Sequence, residues 1–109
     1  MNFVKQNFEN RNKWGIDLRD LGIDAYAYDY SAIPDLLAII QANNLIILGG
    51  DVFCYKNGQL THTYDNWYYE KQDPTIDSRI SIFRTEKYIS NYVKNHCEHY
   101  YFSIVLDNE

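Results

Sequence analysis

Three histidines (His62, His96, His99) and two cysteines (Cys54, Cys97) are the side chains of this 109-residue chain that could ligate a metal or act as nucleophiles. His96, Cys97 and His99 are bunched, yet His96 closes a helical stretch and His99 opens an extended one, so their rings have no reason to converge. No Cys-x-x-Cys or His-x-x-x-His pair supplies the spacing of a metal site. Cys97 has a histidine nearby but no third residue to orient the two as nucleophile and base. Gly49-Gly50 lacks the Lys-Ser/Thr and following helix of a phosphate loop, and the adjacent Asp51 would repel phosphate. Carboxylate pairs abound, and their spacing selects none for acid–base work. This inventory predicts no enzyme, no metal and no cofactor.

A different kind of chemistry is better marked. Asp65-Asn66-Trp67-Tyr68-Tyr69-Glu70 ends one extended stretch, and Gly49-Gly50-Asp51 begins its hairpin partner. Strand alternation puts Asp65, Trp67 and Tyr69 on one face, with Asn66 and Tyr68 on the other. A tryptophan flanked by acids and tyrosines suits a basic protein partner, since rings supply buried area and carboxylates supply steering. In the competing reading Trp67 packs under a long helix and Asp65 caps a turn. The candidate partner-binding residues are Asp24, Tyr26, Tyr28, Asp29, Asp51, Asp65, Trp67, Tyr69 and Glu70.

Charge points the same way. The chain carries 10 Lys and Arg against 15 Asp and Glu, a net charge of −5. Between Trp14 and Asp77 there are 10 acids and three bases, and from Asp20 through Tyr55 five Asp and no base at all. Phosphate contacts dominate nucleic-acid affinity, so this segment excludes a DNA or RNA binder. It suits a basic partner, or solubility alone. Eleven tyrosines bring the aromatic share to 17%, which favours protein contacts or, equally, a half-exposed sheet. The apolar runs Leu45–Leu48 and Ile104–Leu106 are far shorter than the roughly 20 residues of a membrane span. The polar opening Asn2–Asn12 is no leader, so the expected location is the cytoplasm. Two cysteines make no disulfide framework and read as buried thiols. The length fits one domain, residues 1–109.

Several elements must carry these side chains. Phe3, Val4 and Phe8 give Asn2–Lys13 a helical spacing. Asp17–Gly22 reads as one turn, with Asp17 as cap, Leu18 and Leu21 inward and Gly22 as terminator. Ala25–Tyr30 alternates as a strand. Ser31 caps a helix through Asn43, whose stripe is Ile33, Leu36, Leu37 and Ile40, with Pro34 tolerated in the first turn. Leu45–Leu48 is a short strand that Gly49-Gly50 breaks or bulges. Asn57-Gly58 turns a hairpin between Asp51–Lys56 and Gln59–Tyr69. After the Asp73-Pro74 loop, Ile76, Ile80, Phe83, Ile89, Tyr92, Val93 and His96 share one face of a helix from Asp77 to Asn95. His99–Leu106 is apolar on both faces and reads as a central strand. The expected fold is α+β: a four-stranded, mainly antiparallel sheet with two main helices on one face in ferredoxin-like βαββαβ order, plus the short N-terminal helical segment.

With those blocks in place, the sequence resembles the immunity protein 40 family of bacterial polymorphic toxin systems. The resemblance is carried by Leu21-Gly22-Ile23, by Ala38–Asn44 leading into Ile47-Leu48-Gly49-Gly50-Asp51-Val52, and by Asp65-Asn66-Trp67-Tyr68. It spans about Leu18 to Leu106. It implies a small α+β cytosolic protein encoded beside a toxin, which binds that toxin and protects the producing cell. It does not show which residues touch the toxin, so Asp51 and Trp67 stand as structural or contact residues alike. The expected partner is a toxin domain with a basic surface, with no nucleic acid and no membrane. The alternative is a small-ligand-binding or regulatory module lined by Tyr26, Tyr28 and Trp67, and an undetected enzyme stands third. An exposed edge strand such as Ala25–Tyr30 leaves monomer and homodimer both open.

Overall fold

A computed structural model describes residues 15–23, 25–96 and 98–107. The expected helix over Asn2–Lys13 lies outside the described residues. Strands β1 (Gly15–Asp17) and β2 (Tyr26–Asp29) lead into helix α1 (Ile33–Ala42). Strands β3 (Ile47–Lys56) and β4 (Gln59–Tyr68) form the hairpin, helix α2 (Asp77–Asn95) follows, and β5 (Tyr100–Ser103) with β6 (Val105–Leu106) closes the chain.

All pairings are antiparallel, in the order β1-β2-β5-β3-β4, with β6 continuing beside β3. The fold is α+β as expected, with two corrections. The sheet has six strands rather than four, and its order is not ferredoxin-like. Each helix still carries the chain over one intervening strand: α1 passes β5 between β2 and β3, and α2 passes β3 between β4 and β5. The last strand, however, lies in the middle of the sheet, and β4 lies at its rim. Burial decides this. Tyr100, Phe102 and Ser103 of β5 are covered, whereas β4 reads Thr-His-Thr-Tyr-Asp-Asn through its middle and can tolerate water. Nor is β2 an edge, because β1 pairs along it.

One cluster joins the helices to the sheet. Ile33, Leu36, Leu37 and Ile40 of α1 and Ile89 and Tyr92 of α2 meet Tyr28, Val52, Cys54, Trp67 and Phe102 from one sheet face. A smaller cluster of Leu18, Ala27 and Phe53 occupies the other face, with Ile23, Leu60 and Tyr101 against it. Of the two leucines expected to point inward from the Asp17–Gly22 turn, Leu18 is buried and Leu21 is exposed. Gly22 terminates that turn at φ +79°, its N–H bonded to the Arg19 carbonyl. Asn57 and Gly58, at φ +53° and +79°, make the two-residue hairpin turn their residue types demand. Ser31 does not cap helix α1 as expected: the Asp29 carboxylate caps a 3₁₀ turn over Tyr30–Ala32 by accepting from Ser31 N–H, and that turn leads into the helix, whose own N-cap Ala32 makes no side-chain cap bond.

The inner face of α2 is the largest departure from the hydrophobic pattern. Ile89 and Tyr92 are buried, but Phe83 is 54% exposed, and Ser78, Ser81 and Thr85 face the sheet instead. These small hydroxyls answer polar groups of the strands. Ser81 Oγ accepts from Ile47 N–H at 3.0 Å and donates to the Ser78 carbonyl, while Ser78 Oγ donates to the Leu45 carbonyl at 2.6 Å. Among the described residues no buried side-chain polar atom lacks a partner.

Asp77, 2% exposed, opens α2. Its Oδ1 accepts from Tyr69 Oη at 2.6 Å, Gln72 N at 2.9 Å and Asp73 N at 3.1 Å. Burial pushes this carboxyl up, but the three hydrogen bonds and the Lys71 charge outweigh burial and hold it below the usual carboxylate range. A depressed carboxylate contributes stability above the unfolded value, about 3.9, that disappears as pH falls through the folded one. Denaturant titrations between pH 5 and pH 2 should therefore show a shallower acid-induced loss for Asp77→Asn than for the natural chain. Parallel profiles would remove Asp77 from the acid response.

Candidate functional site

The rim strand β4 is not regular. Asp51 pairs with Asn66 and Phe53 with His62, so three residues of β4, Thr63 to Asp65, stand opposite Val52 alone. This is a β-bulge, and Tyr64 at its crest has φ +72°, a left-handed conformation that costs a non-glycine residue on the order of 1–3 kcal/mol. Side chains lock it there. Thr63 Oγ1 donates to the Val52 carbonyl at 2.9 Å and accepts from Asp65 N–H at 3.1 Å. The Tyr64 N–H donates to His62 Nδ1 at 2.7 Å, and the two rings stack 5.1 Å apart. A histidine that accepts at Nδ1 carries its proton on Nε2, and that atom faces Asp51 Oδ1 at 3.5 Å. Asp51 thus orients His62, which holds the crest of the bulge. On its other side, Asp65 Oδ2 accepts from the Tyr92 hydroxyl of α2 at 2.7 Å. Burial and then this carboxylate push the Tyr92 hydroxyl far up in pKa.

A second carboxylate sits on the sheet face turned away from the helices. Asp29 Oδ2 lies 2.9 Å from His99 Nε2 while Oδ1 accepts from Ser31 N–H. The His99 ring lies 5.0 Å from Tyr101, and Tyr55 meets Tyr101 edge-on at 5.6 Å. Burial, with Asp29 and Tyr55 nearby, pushes the Tyr101 hydroxyl up. This face and its rim therefore display two carboxylates beside histidines, Asp29 bonded to His99 and Asp51 within 3.5 Å of His62, among exposed or half-exposed tyrosines.

The residues expected to form a contact surface separate into two groups. Asp29 and Asp51 lie half-exposed on the open face, and Asp65 and Glu70 are exposed at and just beyond β4. Tyr28, Trp67 and Tyr69 are buried, Tyr26 is half-buried against the main cluster, and Asp24 lies outside the described residues. Trp67 packs under the long helix: its Nε1 donates to Thr85 Oγ1 at 3.0 Å and its ring stacks on Tyr88 at 4.9 Å. With Tyr28 and Trp67 in the core, the aromatic ligand pocket expected from them with Tyr26 is not open. Two tyrosines outside that expectation, Tyr64 and Tyr68, are 83% and 79% exposed. Strand parity had already set Tyr68 opposite Trp67. Nothing local marked Tyr64, because the bulge exists only against β3.

Elsewhere, a groove of about 410 Å³ runs between the helices past Ile33, Pro34, Leu37, Ile82 and Glu86. Another, of about 510 Å³, lies between the 3₁₀ turn Arg19–Leu21 and the hairpin, beside Asp17, Asp20, Tyr55 and Leu60. Burial pushes the Cys54 thiol up, and Glu98 adds to the effect, which leaves it a poor nucleophile; Cys97 lies outside the described residues. Among the described residues, no three His, Cys, Asp or Glu side chains gather as a metal site would need, and no helix is long and apolar enough to cross a membrane.

A family model described as Immunity protein 40 matches residues 17–106, most of the chain. No curated protein and no solved structure matches it.

Proposed function

The chain belongs to the immunity protein 40 family, and from that premise we propose that it is a cytoplasmic immunity protein that neutralises a co-encoded polymorphic toxin by stoichiometric binding. The observation that carries this reading is the sheet face turned away from the helices with its rim, where Asp29 is bonded to His99 at 2.9 Å and Asp51 lies 3.5 Å from His62, beside exposed tyrosines. Preoriented carboxylates lose little freedom on meeting a cationic surface, and tyrosine rings supply contact area at low entropic cost. The contact residues of this proposal are Asp29 and Asp51 on that face and Asp65 and Glu70 at and beyond its rim strand, with Asp24 preceding β2 in the chain. The protein acts by occupancy and transforms nothing. Where the toxin is a nuclease, these carboxylates stand where substrate phosphates would.

Rescue of cells expressing the neighbouring toxin domain tests the function directly, and co-expression without rescue would sink it. Steering by exposed charge adds a kinetic prediction. Association should slow as salt rises, because screening shortens the Debye length below about 10 Å beyond 0.1 M. Asp29→Asn combined with Asp51→Asn removes both charges but keeps a side-chain oxygen toward the Ser31 N–H and toward His62, and should slow association several-fold, on the order of threefold to tenfold, and change dissociation little, read by stopped-flow mixing. A salt-insensitive association rate would remove the phosphate-mimic version and leave immunity standing.

A further inference from the structure

We infer that the crest of the β4 bulge, Tyr64, supported by the exposed Tyr68 further along the same strand, is the anchor that enters a cationic pocket of the toxin; this rests on the immunity reading and narrows it to one element. Three observations converge. First, Tyr64 is held at φ +72° by its own N–H bond to His62 and by the flanking Thr63 hydroxyl, which links the Val52 carbonyl to the Asp65 N–H, so a backbone cost is kept up in order to project a ring that stays 83% exposed. Strain maintained by surrounding side chains clusters where a residue is used rather than packed. Second, a rim strand is ordinarily protected from other strands by Lys or Pro, and Gln59–Tyr68 contains no Lys, Arg or Pro. Among the described residues, the bulge is what interrupts this edge. It breaks the register that edge-to-edge pairing with a second copy would need, and two copies of net charge −5 repel. Third, the surroundings of the crest are anionic. Asp51 stands behind His62, whose ring stacks on Tyr64, and Asp65 follows Tyr64 in the chain with one oxygen bonded to Tyr92 and the residue exposed, so a lysine or arginine approaching the Tyr64 ring meets a negatively charged neighbourhood. An exposed tyrosine on a rigid, acidic edge fits a pocket lined by Arg or Lys.

The bulge lets ring and backbone be tested apart, since glycine adopts φ +72° without cost. The full chain is titrated against the immobilised, inactivated toxin domain encoded beside it. Tyr64→Gly should melt at the same or a higher temperature than the natural chain and bind about 30-fold more weakly, chiefly through faster dissociation. Tyr64→Phe should bind within about threefold of the natural chain, and Tyr68→Ala should fall between the two. A Tyr64→Gly protein that binds within about threefold overturns the anchor while immunity stands. A homodimer that Tyr64→Gly dissolves would give the crest to a second copy and overturn it as well. A natural chain that neither binds nor protects removes the immunity reading and the anchor together.

Discussion

Gly50→Ala is expected to yield no cooperatively folded protein. Gly50 lies in β3 between the rim strand and the central one, paired with Trp67. A methyl carbon added there would sit 1.9 Å from the Ser103 backbone oxygen and 2.5 Å from Trp67 Cη2. The ring could turn aside, but the carbonyl belongs to β5, which is bonded to β2 on its far side. Relief therefore requires separating strands at the centre of the sheet. The Asp51 N–H, which donates to Ser103 Oγ at 3.0 Å, would be pulled away with them. Gly49 is bound as tightly, with φ +147° and the Trp67 carbonyl 2.2 Å from any added methyl. Gly58→Ala is the matched comparison. Gly58, unlike Gly50, has a positive φ of +79°, but nothing lies within 4 Å of the new carbon, so only the left-handed backbone cost of roughly 1–2 kcal/mol applies. Far-ultraviolet circular dichroism and thermal melting of the two variants should show one unfolded chain and one mildly destabilised fold. A Gly50→Ala protein melting near the natural temperature would mean that β3 and β5 do not approach this closely.

Trp67→Ala should cost about 3–5 kcal/mol of unfolding free energy, the range for removing a large buried aromatic, out of a total that for a domain of this size is of order 5–15 kcal/mol. The ring covers Gly50, stacks on Tyr88 and meets Phe102 edge-on at 6.5 Å. Its removal opens a void between β4, β5 and α2 that no neighbouring side chain is positioned to fill. Trp67→Phe should keep much of this stability and lose the hydrogen bond to Thr85, a net of about 1 kcal/mol. Urea titration measures both. The same variants separate the two roles that tryptophan could have had. If Trp67 is a core residue, the toxin affinity of the folded fraction stays within about threefold. Full stability with lost binding would put the ring at the interface.

Much of this protein was legible before any tertiary contact was known. Helix α2 runs from Asp77 to Asn95 as its periodicity indicates, the Asn57-Gly58 turn is where its residue types require it, and the stripe of α1 is the one its spacing marks. The doubly apolar pattern of His99–Leu106 signalled a central strand, and β5 (Tyr100–Ser103) is central, although the stretch breaks at Ile104 and continues as β6 beside β3 with Val105 exposed. Alternation also divided Trp67 from Tyr68, one buried and one exposed. The blocks that carry the family resemblance, Gly49-Gly50-Asp51 and Asn66-Trp67-Tyr68, prove to face each other across β3 and β4. Each of these features depends on neighbours a few residues away, and local chain geometry suffices to express them.

Other features needed partners distant in the chain. Ser81 and Thr85 look like solvent-facing residues until Ile47 N–H and Trp67 Nε1 are brought to them. Asp77 looks like a helix-opening acid until Tyr69 closes over it. Tyr64 gains its left-handed backbone only because β4 must spend three residues where β3 spends one. Strand order likewise followed from which strand could bear water at the rim. Periodicity and turn chemistry, being local, were determined by the sequence itself; register, burial of polar groups and the exposed crest were decided by packing, because their energies exist only between segments that the fold brings together.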